Sequence, residues 1–312
     1  MMTGIDRRLA GVATAFFMSG LCVQPLLAED SMTGGSSAAP TERTHLLGDW
    51  GGVRSRLAER GIIFDFQATQ FYQGVVDGSA GTSDWQYGVK GDYFLTVIGE
   101  KAGLWKGIIF NVHAETRAGE DVNALTGLSP ANAAMSYPNS DDTTAITQAM
   151  AIQMVGEQTG LVAGKINAFD FIDLVYQTGR GVDGFMNTSL VIPTPLAQTI
   201  PASLATAGVL KFKGKDVQGA AVVYDPNNCA TTSCVDPLFG DGAALAGLWK
   251  FYTGTGHDGA RAGYVSFGGT WSGKEYTVVD PQSLFLSPAR ALPLRRRRSV
   301  GPSSLLSTSR CG

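Results

Sequence analysis

The sequence predicts an all-β protein in which antiparallel strands follow one another up and down. One observation is composition: the 312 residues include 40 glycines, 16 % are charged, and the mean hydropathy is +0.05. Such values are typical of a β-rich chain with many turns and unusual for a helical enzyme. The second observation is a series of segments in which apolar and polar residues alternate with a period of two, as they do in a strand.

The segment 85–97 shows this alternation most clearly. Its two faces carry Trp85, Tyr87, Tyr93 and Leu95 on one side, and Lys90 and Asp92 on the other. An apolar face capped by aromatic residues, opposite a charged face, suits a sheet between lipid and water. A strand of a soluble sandwich has the same alternation, so this segment alone leaves both architectures open.

A short helix is predicted before the first strand. Asp49 can cap it, Trp50, Val53 and Leu57 share one of its faces, and Gly61 ends it. Nine strands then follow, at residues 62–69, 85–97, 106–117, 147–155, 161–167, 206–212, 217–225, 243–253 and 260–267. Several are about 9–12 residues long, which is the length of a tilted membrane strand.

Four polar side chains share one face of the strand 106–117, namely Asn111, His113, Glu115 and Arg117. Such a row is costly inside a soluble core but not against bulk water or a wet lumen. Two connections are unusually long, at residues 119–144 and 168–203. In a barrel, long connections of this kind are expected to be external lids or inward-folded constrictions.

The ends of the chain differ in composition from its middle. Residues 1–28 are predicted to be a signal peptide, with two arginines, an apolar stretch and a cleavage site after Ala28; a membrane anchor is the alternative. Residues 29–45 are predicted to be a flexible mature N-terminus. Residues 288–312 carry six arginines and no Lys, Asp or Glu, so the remainder has a charge of -3 - 6 = -9. We interpret this basic tail as disordered and as the product of a shifted reading frame; a genuine tail is the alternative.

No catalytic constellation is evident. His113, Glu115 and Arg117 have the i, i+2, i+4 spacing that any polar strand face produces, so we expect no enzyme activity, no cofactor and no metal site. Cys229 and Cys234 are predicted to form a small loop disulfide, which an exported chain allows. Export also makes nucleic acid an unexpected partner, despite the arginines near the C-terminus.

The segment Leu46–Leu57, which leads to Gly61 and a strand, resembles the start of the carbohydrate-selective porin family, the OprB type of Gram-negative outer membranes. Three later segments match that family in order, namely Gly164–Asn167, Phe185–Asn187 and Leu238–Gly242. The resemblance covers roughly residues 46–286. It implies a sixteen-stranded outer-membrane barrel that passes sugars by diffusion through a narrowed, polar lumen. It also implies outer-membrane lipid and the barrel-assembly machinery as partners.

The chain departs from that family because about nine strands, not sixteen, are predicted, and the alternation stops near Phe285. We therefore expect residues 46–287 to form an incomplete up-and-down outer-membrane β-barrel, and the porin function to be incomplete or lost. The predicted lumen residues are Lys90, Asp92, Asn111, His113, Glu115, Arg117, Lys165 and Asn167, with Arg180 and Asp183 reaching in from the long connection.

Two other functions remain open at this point. One is an exported soluble β-rich carbohydrate-binding protein, whose apolar strand faces would pack on each other. The other is an enzyme of polysaccharide metabolism, which needs two carboxylates about 5–10 Å apart in a cleft.

Overall fold

The structure is a computed structural model that describes residues 12–21, 48–75, 85–123, 130–138, 144–192, 194–236, 238–253 and 263–274, the first of these as backbone only. The strands in these ranges are β1 (Val12–Leu21), β2 (Ile62–Gly74), β3 (Trp85–Ile98), β4 (Ile108–Gly119), β5 (Thr144–Met154), β6 (Thr159–Asn167), β7 (Ser203–Lys213), β8 (Asp216–Tyr224), β9 (Ala244–Thr253) and β10 (Gly263–Ser272). The helices are α1 (Val53–Glu59), α2 (Ala168–Tyr176), α3 (Thr188–Val191) and α4 (Thr194–Thr199), with 3-10 turns at Ala134–Ser136 and Gly179–Gly181.

All ten described strands belong to one sheet, in the order β1-β10-β9-β8-β7-β6-β5-β4-β3-β2. From β2 to β10 each strand pairs antiparallel with its neighbours along the chain. The up-and-down prediction is therefore confirmed, and β2–β10 correspond to the nine predicted strands. Because β1 and β2 lie at opposite edges and are not paired with each other in the described ranges, the sheet is open.

Strand β2 extends five residues beyond its predicted end, to Gly74. The alternation is interrupted there by Phe71, an aromatic residue on the otherwise polar face. Phe71 is only 5 % exposed and belongs to a small apolar cluster with Ala134 and Met135. An apolar contact from a distant connection therefore keeps this part of the strand in the sheet, and alternation along the strand does not reveal such a contact.

Strand β1 lies inside the predicted signal peptide and pairs antiparallel with β10. The pairing does not test whether residues 1–28 are cleaved, because an unpaired strand edge accepts any extended segment. The prediction of a signal peptide therefore stays a prediction. The predicted flexible segment 29–45 and basic tail 288–312 lie outside the described residues.

The connections between strands divide the sheet into two different ends. The long connections β4–β5, β6–β7 and β8–β9 all lie at one end, called the loop end here. The connections β5–β6 and β7–β8 are short turns at the opposite end, called the turn end. Barrels of the outer-membrane type show the same asymmetry between long loops and short turns.

Two faces of the sheet follow from the register. The inner face carries Asp92, His113 and Glu115, and the long β6–β7 connection lies on it. The outer face exposes large side chains, each at least 40 % exposed: Phe66, Tyr72, Trp85, Tyr87, Leu161, Leu245, Trp249, Phe251 and Phe267. The charged groups of β3 and β4 are thus covered, whereas the aromatic groups are not.

The β6–β7 connection, residues 168–202, contains three helices, whereas only α1 was predicted. Asparagine caps explain two of them. Asn167 Oδ1 accepts a 2.9 Å hydrogen bond from Phe169 N at the start of α2, and Asn187 Oδ1 accepts one of 2.9 Å from Ser189 N at the start of α3. Phe171 of α2 packs on a cluster of Val162, Ile166 and Leu210 on the inner face. Of the two predicted positions, the connection adopts the inward-folded one.

The predicted short helix before the first strand is present as α1. Its first turn is held by Asp49, whose Oδ1 accepts hydrogen bonds from Ser55 N (2.8 Å) and Ser55 Oγ (2.9 Å). Arg54 forms an ion pair of 2.9 Å with Asp65, which joins α1 to β2.

None of the helices in the described ranges has the length and apolar character needed to cross a membrane.

Candidate functional site

The candidate site begins with the register of β3 and β4. Lys90 is paired with Arg117, Asp92 with Glu115, and Phe94 with His113, so these side chains share the inner face. Asn111 lies next to them, opposite Thr96, and its Nδ2 donates a 2.9 Å hydrogen bond to Thr96 Oγ1. Paired residues of two strands project to the same side, so alternation in each strand gathers the polar groups into one patch.

His113 lies at the centre of the patch and is fully buried. Its Nε2 lies 3.0 Å from Asp92 Oδ1, and its Nδ1 lies 2.6 Å from Asp170 Oδ2 of helix α2. Ionised carboxylates only accept hydrogen bonds, so both contacts are satisfied together by an imidazolium with an N–H at each nitrogen. The ring also stacks on Phe94, with 4.0 Å between the ring centroids. His113 thereby joins the sheet to α2.

Lys90 and Glu115 form a second buried pair beside His113, with Nζ 2.6 Å from Oε1. The ammonium also donates to the carbonyls of Ala134 (3.1 Å) and Tyr137 (3.3 Å), in the β4–β5 connection. Glu115 Oε2 accepts a 2.8 Å hydrogen bond from Asn167 Nδ2. Lys90, Glu115 and Asn167 therefore hold the β4–β5 and β6–β7 connections against the inner face.

Arg180 is the cation of the β6–β7 connection, in the 3-10 turn after α2. Its guanidinium nitrogens lie 3.6–3.9 Å from carboxylate oxygens of four residues, namely Asp92, Asp170, Asp173 and Asp183. Its Nη2 also donates to Gln67 Oε1 at 3.0 Å, and the guanidinium lies over the Phe94 ring. Burial alone would lower the pKa of Arg180, but the surrounding carboxylates raise it above the ordinary value.

The sequence around Arg180 suits this tight turn. Arg180 has a left-handed φ of 54°, which costs an L-residue about 1–3 kcal/mol. Gly179 and Gly181 flank it with φ of 78° and 83°. A Cβ at residue 179 would lie 2.1 Å from the backbone nitrogen of Gly184, so only glycine fits there. The Gly-Arg-Gly motif therefore directs a cation onto the inner face.

Asp173 lies at the rim of the cluster, with a side chain 33 % exposed. Burial raises the pKa of Asp173 above its ordinary value, although a 2.7 Å hydrogen bond from Gly179 N to Oδ1 opposes that shift. Asp183, at 59 %, is the most exposed carboxylate around Arg180, and its Oδ1 accepts a 2.9 Å bond from Gln67 Nε2. These two acids are the members of the cluster that solvent or a solute can reach.

The cluster contains the residue types of a metal site. Ligand atoms of Asp92, His113 and Glu115 all lie within 4.8 Å of one another. However, Lys90 and Arg180 already bring positive charge to these carboxylates, and His113 contributes a third cation when it is protonated. Three cations, of which Lys90 and His113 are buried, then balance Asp92, Glu115 and Asp170. We therefore describe the group as an ion-pair network rather than as a cation site.

Two other predicted residues occupy different surroundings. Arg117 lies at the edge of the network, where its Nη1 donates to the carbonyl of Met135 and lies 3.5 Å from Asp121. Lys165 is separated from the group because the register pairs it with Ala149 and Ala205, and Ala149 in turn with Val112. Val112 alternates with Asn111 and His113, so Lys165 lies on the outer face and cannot join them.

Several contributors were not among the predicted site residues, including Gln67, Phe94, Asp170 and Asp173. Asp170 lies three residues after the N-cap Asn167, where an acid in the first helical turn is favoured, and that spacing is a usable signal.

A polar group at the turn end was also not among the predicted site residues. There Lys250 Nζ lies 2.8 Å from Asp216 Oδ1, and the hydroxyl of Tyr176 lies 2.9 Å from Ser266 Oγ.

Cys229 and Cys234 form a disulfide in the β8–β9 connection, with Cα atoms 5.1 Å apart. The enclosed segment extends over the loop end of the outer face, where the carbonyls of Ala230 and Thr232 accept hydrogen bonds from Lys165 Nζ at 3.0 and 2.8 Å. The pair therefore closes a loop on the side of the sheet opposite the ion-pair network.

No family model matches this sequence, and no curated protein matches it. The structure is similar to a solved structure, that of OprB from Pseudomonas putida at high pH, with a TM-score of 0.58 and 15 % sequence identity. The similarity covers 73 % of this chain and 56 % of that chain. At this identity the similarity shows the fold alone, which is the antiparallel up-and-down sheet described above. The chain spans a little over half the length of that protein.

Proposed function

We propose that this chain is a porin-type protein of a Gram-negative outer membrane, and that its inner face forms part of a diffusion path for carbohydrates. The observation that carries the proposal is the β6–β7 connection, which is held against the inner face by buried ion pairs while the outer face exposes aromatic groups. A soluble sandwich would cover its apolar faces. Here the apolar face is the open one.

The outer face has the distribution expected of a lipid-facing surface. Tyr72 and Trp85 stack at the loop end, with ring centroids 5.0 Å apart, and Tyr87 lies beside them. Trp249 and Phe251 lie toward the turn end. Aromatic residues near both ends of the strands are typical of the two membrane–water interfaces of a barrel. This pattern supports insertion of the sheet with its outer face in lipid.

The inner face offers charged and polar groups at two levels of exposure. Asp92 and His113 are fully buried and position the connection, whereas Asp173, Asp183 and Gln67 form the accessible rim around Arg180. Sugar hydroxyls both donate and accept hydrogen bonds, so a guanidinium beside carboxylates is a suitable partner for them. Selectivity in this proposal depends on shape and hydrogen bonding, and no covalent step is involved.

Conduction requires that both edges of the sheet be paired. In hydrocarbon each unpaired backbone group costs several kcal/mol, by order of magnitude, so an open sheet edge is not stable there. In an intact relative, further strands of the same chain, folded with the help of the barrel-assembly machinery, would close the path. Transport by the chain therefore requires a closed path in addition to membrane insertion, and a separate experiment measures each.

Fractionation tests insertion. The protein is expressed with its own N-terminus in a Gram-negative host, and periplasmic and outer-membrane fractions are compared. We expect recovery in the outer membrane, which requires both edges of the sheet to be paired there, and extraction only with detergent. Recovery in the soluble periplasm without detergent would favour the carbohydrate-binding alternative and contradict the porin proposal.

Liposome swelling then tests transport. Purified protein is reconstituted, and the swelling rate in a monosaccharide solution is compared for the wild type, Asp183→Asn and Glu157→Gln, the last being an exposed turn-end control. We expect the sugar flux of Asp183→Asn to fall about two- to tenfold, because the substitution removes one acceptor oxygen from the rim and one hydrogen bond is worth about 0.5–1.5 kcal/mol. Equal sugar flux for all three proteins would show that the rim residues do not contribute to the diffusion path.

A further inference from the structure

We propose that a pocket at the loop end of the outer face binds the phosphate of a membrane lipid, with the Lys165 ammonium as its anchor. The proposal rests on the membrane location proposed above. It concerns the face opposite the diffusion path, so the two can be tested independently.

The position of Lys165 is set by the register. It shares the outer face with Leu161, which is 48 % exposed, and it lies two residues before the end of β6 at Asn167. A charge on the lipid-facing side of a barrel is least unfavourable near an interface, where headgroups are within reach. Lys165 is thus a cation at headgroup depth on a largely apolar surface.

The disulfide loop fixes the direction of this ammonium. Its carbonyl acceptors, Ala230 and Thr232, both lie between Cys229 and Cys234, so the covalent link holds them in place. An ammonium has three N–H donors, and these carbonyls are its two hydrogen-bond acceptors among the described residues. One donor therefore remains for a ligand.

A pocket of about 460 Å³ lies at this point, between β5 and the disulfide loop. Hydroxyl groups of Thr144, Thr231 and Ser233 line its polar part, and Ile146 and Ala149 line its apolar part. No acidic residue is among its lining residues in the described ranges.

The chemistry of the pocket fits one phosphate group with an attached hydrocarbon chain. Lysine binds phosphate as a point charge, and hydroxyl groups can donate to the remaining phosphate oxygens. The apolar lining continues onto the outer face, where an acyl chain would lie against Ile146 and Ala149. A free phosphate would use the polar half alone, so a lipid explains both halves of the pocket.

The test uses full-length protein in detergent, with binding measured by native mass spectrometry. The probes are diphosphoryl lipid A, the same glycolipid after removal of its phosphates, and inorganic phosphate. The variants are Lys165→Gln, Lys165→Arg and Lys211→Gln. Lys211 is the matched control, because it lies two residues from the end of β7 but at the turn end, away from the disulfide loop.

We expect the wild type to bind diphosphoryl lipid A at least tenfold more tightly than the dephosphorylated form. Lys165→Gln should lose this preference, while Lys165→Arg and Lys211→Gln should keep it. If Lys165 only holds the disulfide loop, wild type and Lys165→Gln will show the same preference, and the proposal is overturned. Binding of inorganic phosphate that depends on Lys165, without any preference among the lipids, would equally overturn the assignment to a lipid.

The sugar-flux measurement separates this proposal from the proposed function. Because Lys165 lies on the outer face, Lys165→Gln should pass sugar at the wild-type rate. If the wild type passes sugar but shows no preference for the phosphorylated lipid, only the lipid site is rejected. Absence of sugar flux with the lipid preference intact rejects the diffusion path alone.

Discussion

The β6–β7 connection is held to the inner face in two different ways along its length. Over β3 and β4 it is held by buried charges, with Asp170 and Arg180 facing Asp92 and His113. Over β6–β8 it is held by apolar packing, in which Phe171 lies on Val162, Ile166 and Leu210. Apolar packing is non-directional, whereas buried ion pairs tolerate only one geometry. The comparison therefore suggests that packing holds the connection down and that the charges determine its position.

The largest expected effect comes from breaking the charged side. Asp92→Ala leaves His113 and Arg180 without one of their shared carboxylates, while His113 stays fully buried and Arg180 is only 13 % exposed. Removing one partner of a buried pair typically costs about 3–5 kcal/mol, so the free energy of unfolding should fall by that amount. Urea denaturation in detergent, followed by tryptophan fluorescence, measures the change. Asp183→Ala is the control, because its exposed side chain should cost no more than about 1 kcal/mol.

If these charges determine the position of the connection, Asp92→Ala should also change the sugar flux of the protein that remains folded. Normal flux through a protein that is destabilised but still folded would show that the charges stabilise the connection without positioning it.

A similar or somewhat smaller effect is expected on the apolar side. Leu210 is 1 % exposed in the cluster beneath Phe171, and Leu210→Ala should cost about 2–5 kcal/mol through lost burial and a cavity. Unlike Asp92→Ala, this change alters no charge. Its cost should be the same at low and high salt and across pH in the same denaturation assay. A salt-dependent cost would show that the two sides of the connection are coupled.

The sheet was more predictable than the connections because its signal is local. Apart from Phe94, Trp85–Val97 alternates along its length, and its register with β2 and β4 places Trp85, Tyr87, Lys90 and Asp92 on the faces that alternation assigns. The ends of the strands were less predictable. Phe71 remains in β2 through contact with Met135, which is distant in sequence. Such contacts depend on where a long connection folds, and no local pattern encodes that.

Lys165 and Asn167 show why alternation does not predict the face of a side chain at the end of a strand. Both have the same parity, so alternation places them on one face. The strand ends at Asn167, however, where the backbone enters α2 and the side chain turns to cap Phe169 N and to donate to Glu115. Lys165 keeps the outer face that the register gives it. An Asn at a strand–helix boundary is itself the signal that parity stops applying, because Asn is a preferred N-cap.

The smallest expected effect is at Asp173, on the rim of the charged side. Its pKa is raised because burial disfavours the carboxylate, so folding favours the protonated form. A group whose folded pKa is raised contributes stability at pH below its unfolded pKa and loses it as pH rises through the folded pKa. Asp173→Asn keeps an oxygen to accept from Gly179 N and removes the charge. At pH 7 it should therefore stabilise the protein, by a few tenths of a kcal/mol given the partial exposure of the side chain.

That gain should disappear near pH 3.5, where the wild-type carboxyl is protonated as well, and urea midpoints at the two pH values measure the difference. Asp170→Asn provides the contrast, because it removes a carboxylate that faces His113 and should destabilise the protein at pH 7. A loss of stability in Asp173→Asn at pH 7 would mean that the 3.9 Å contact with Arg180 outweighs burial. The charges at the rim would then hold the connection as the buried ones do, and the distinction between a buried positioning core and an accessible rim would have to be abandoned.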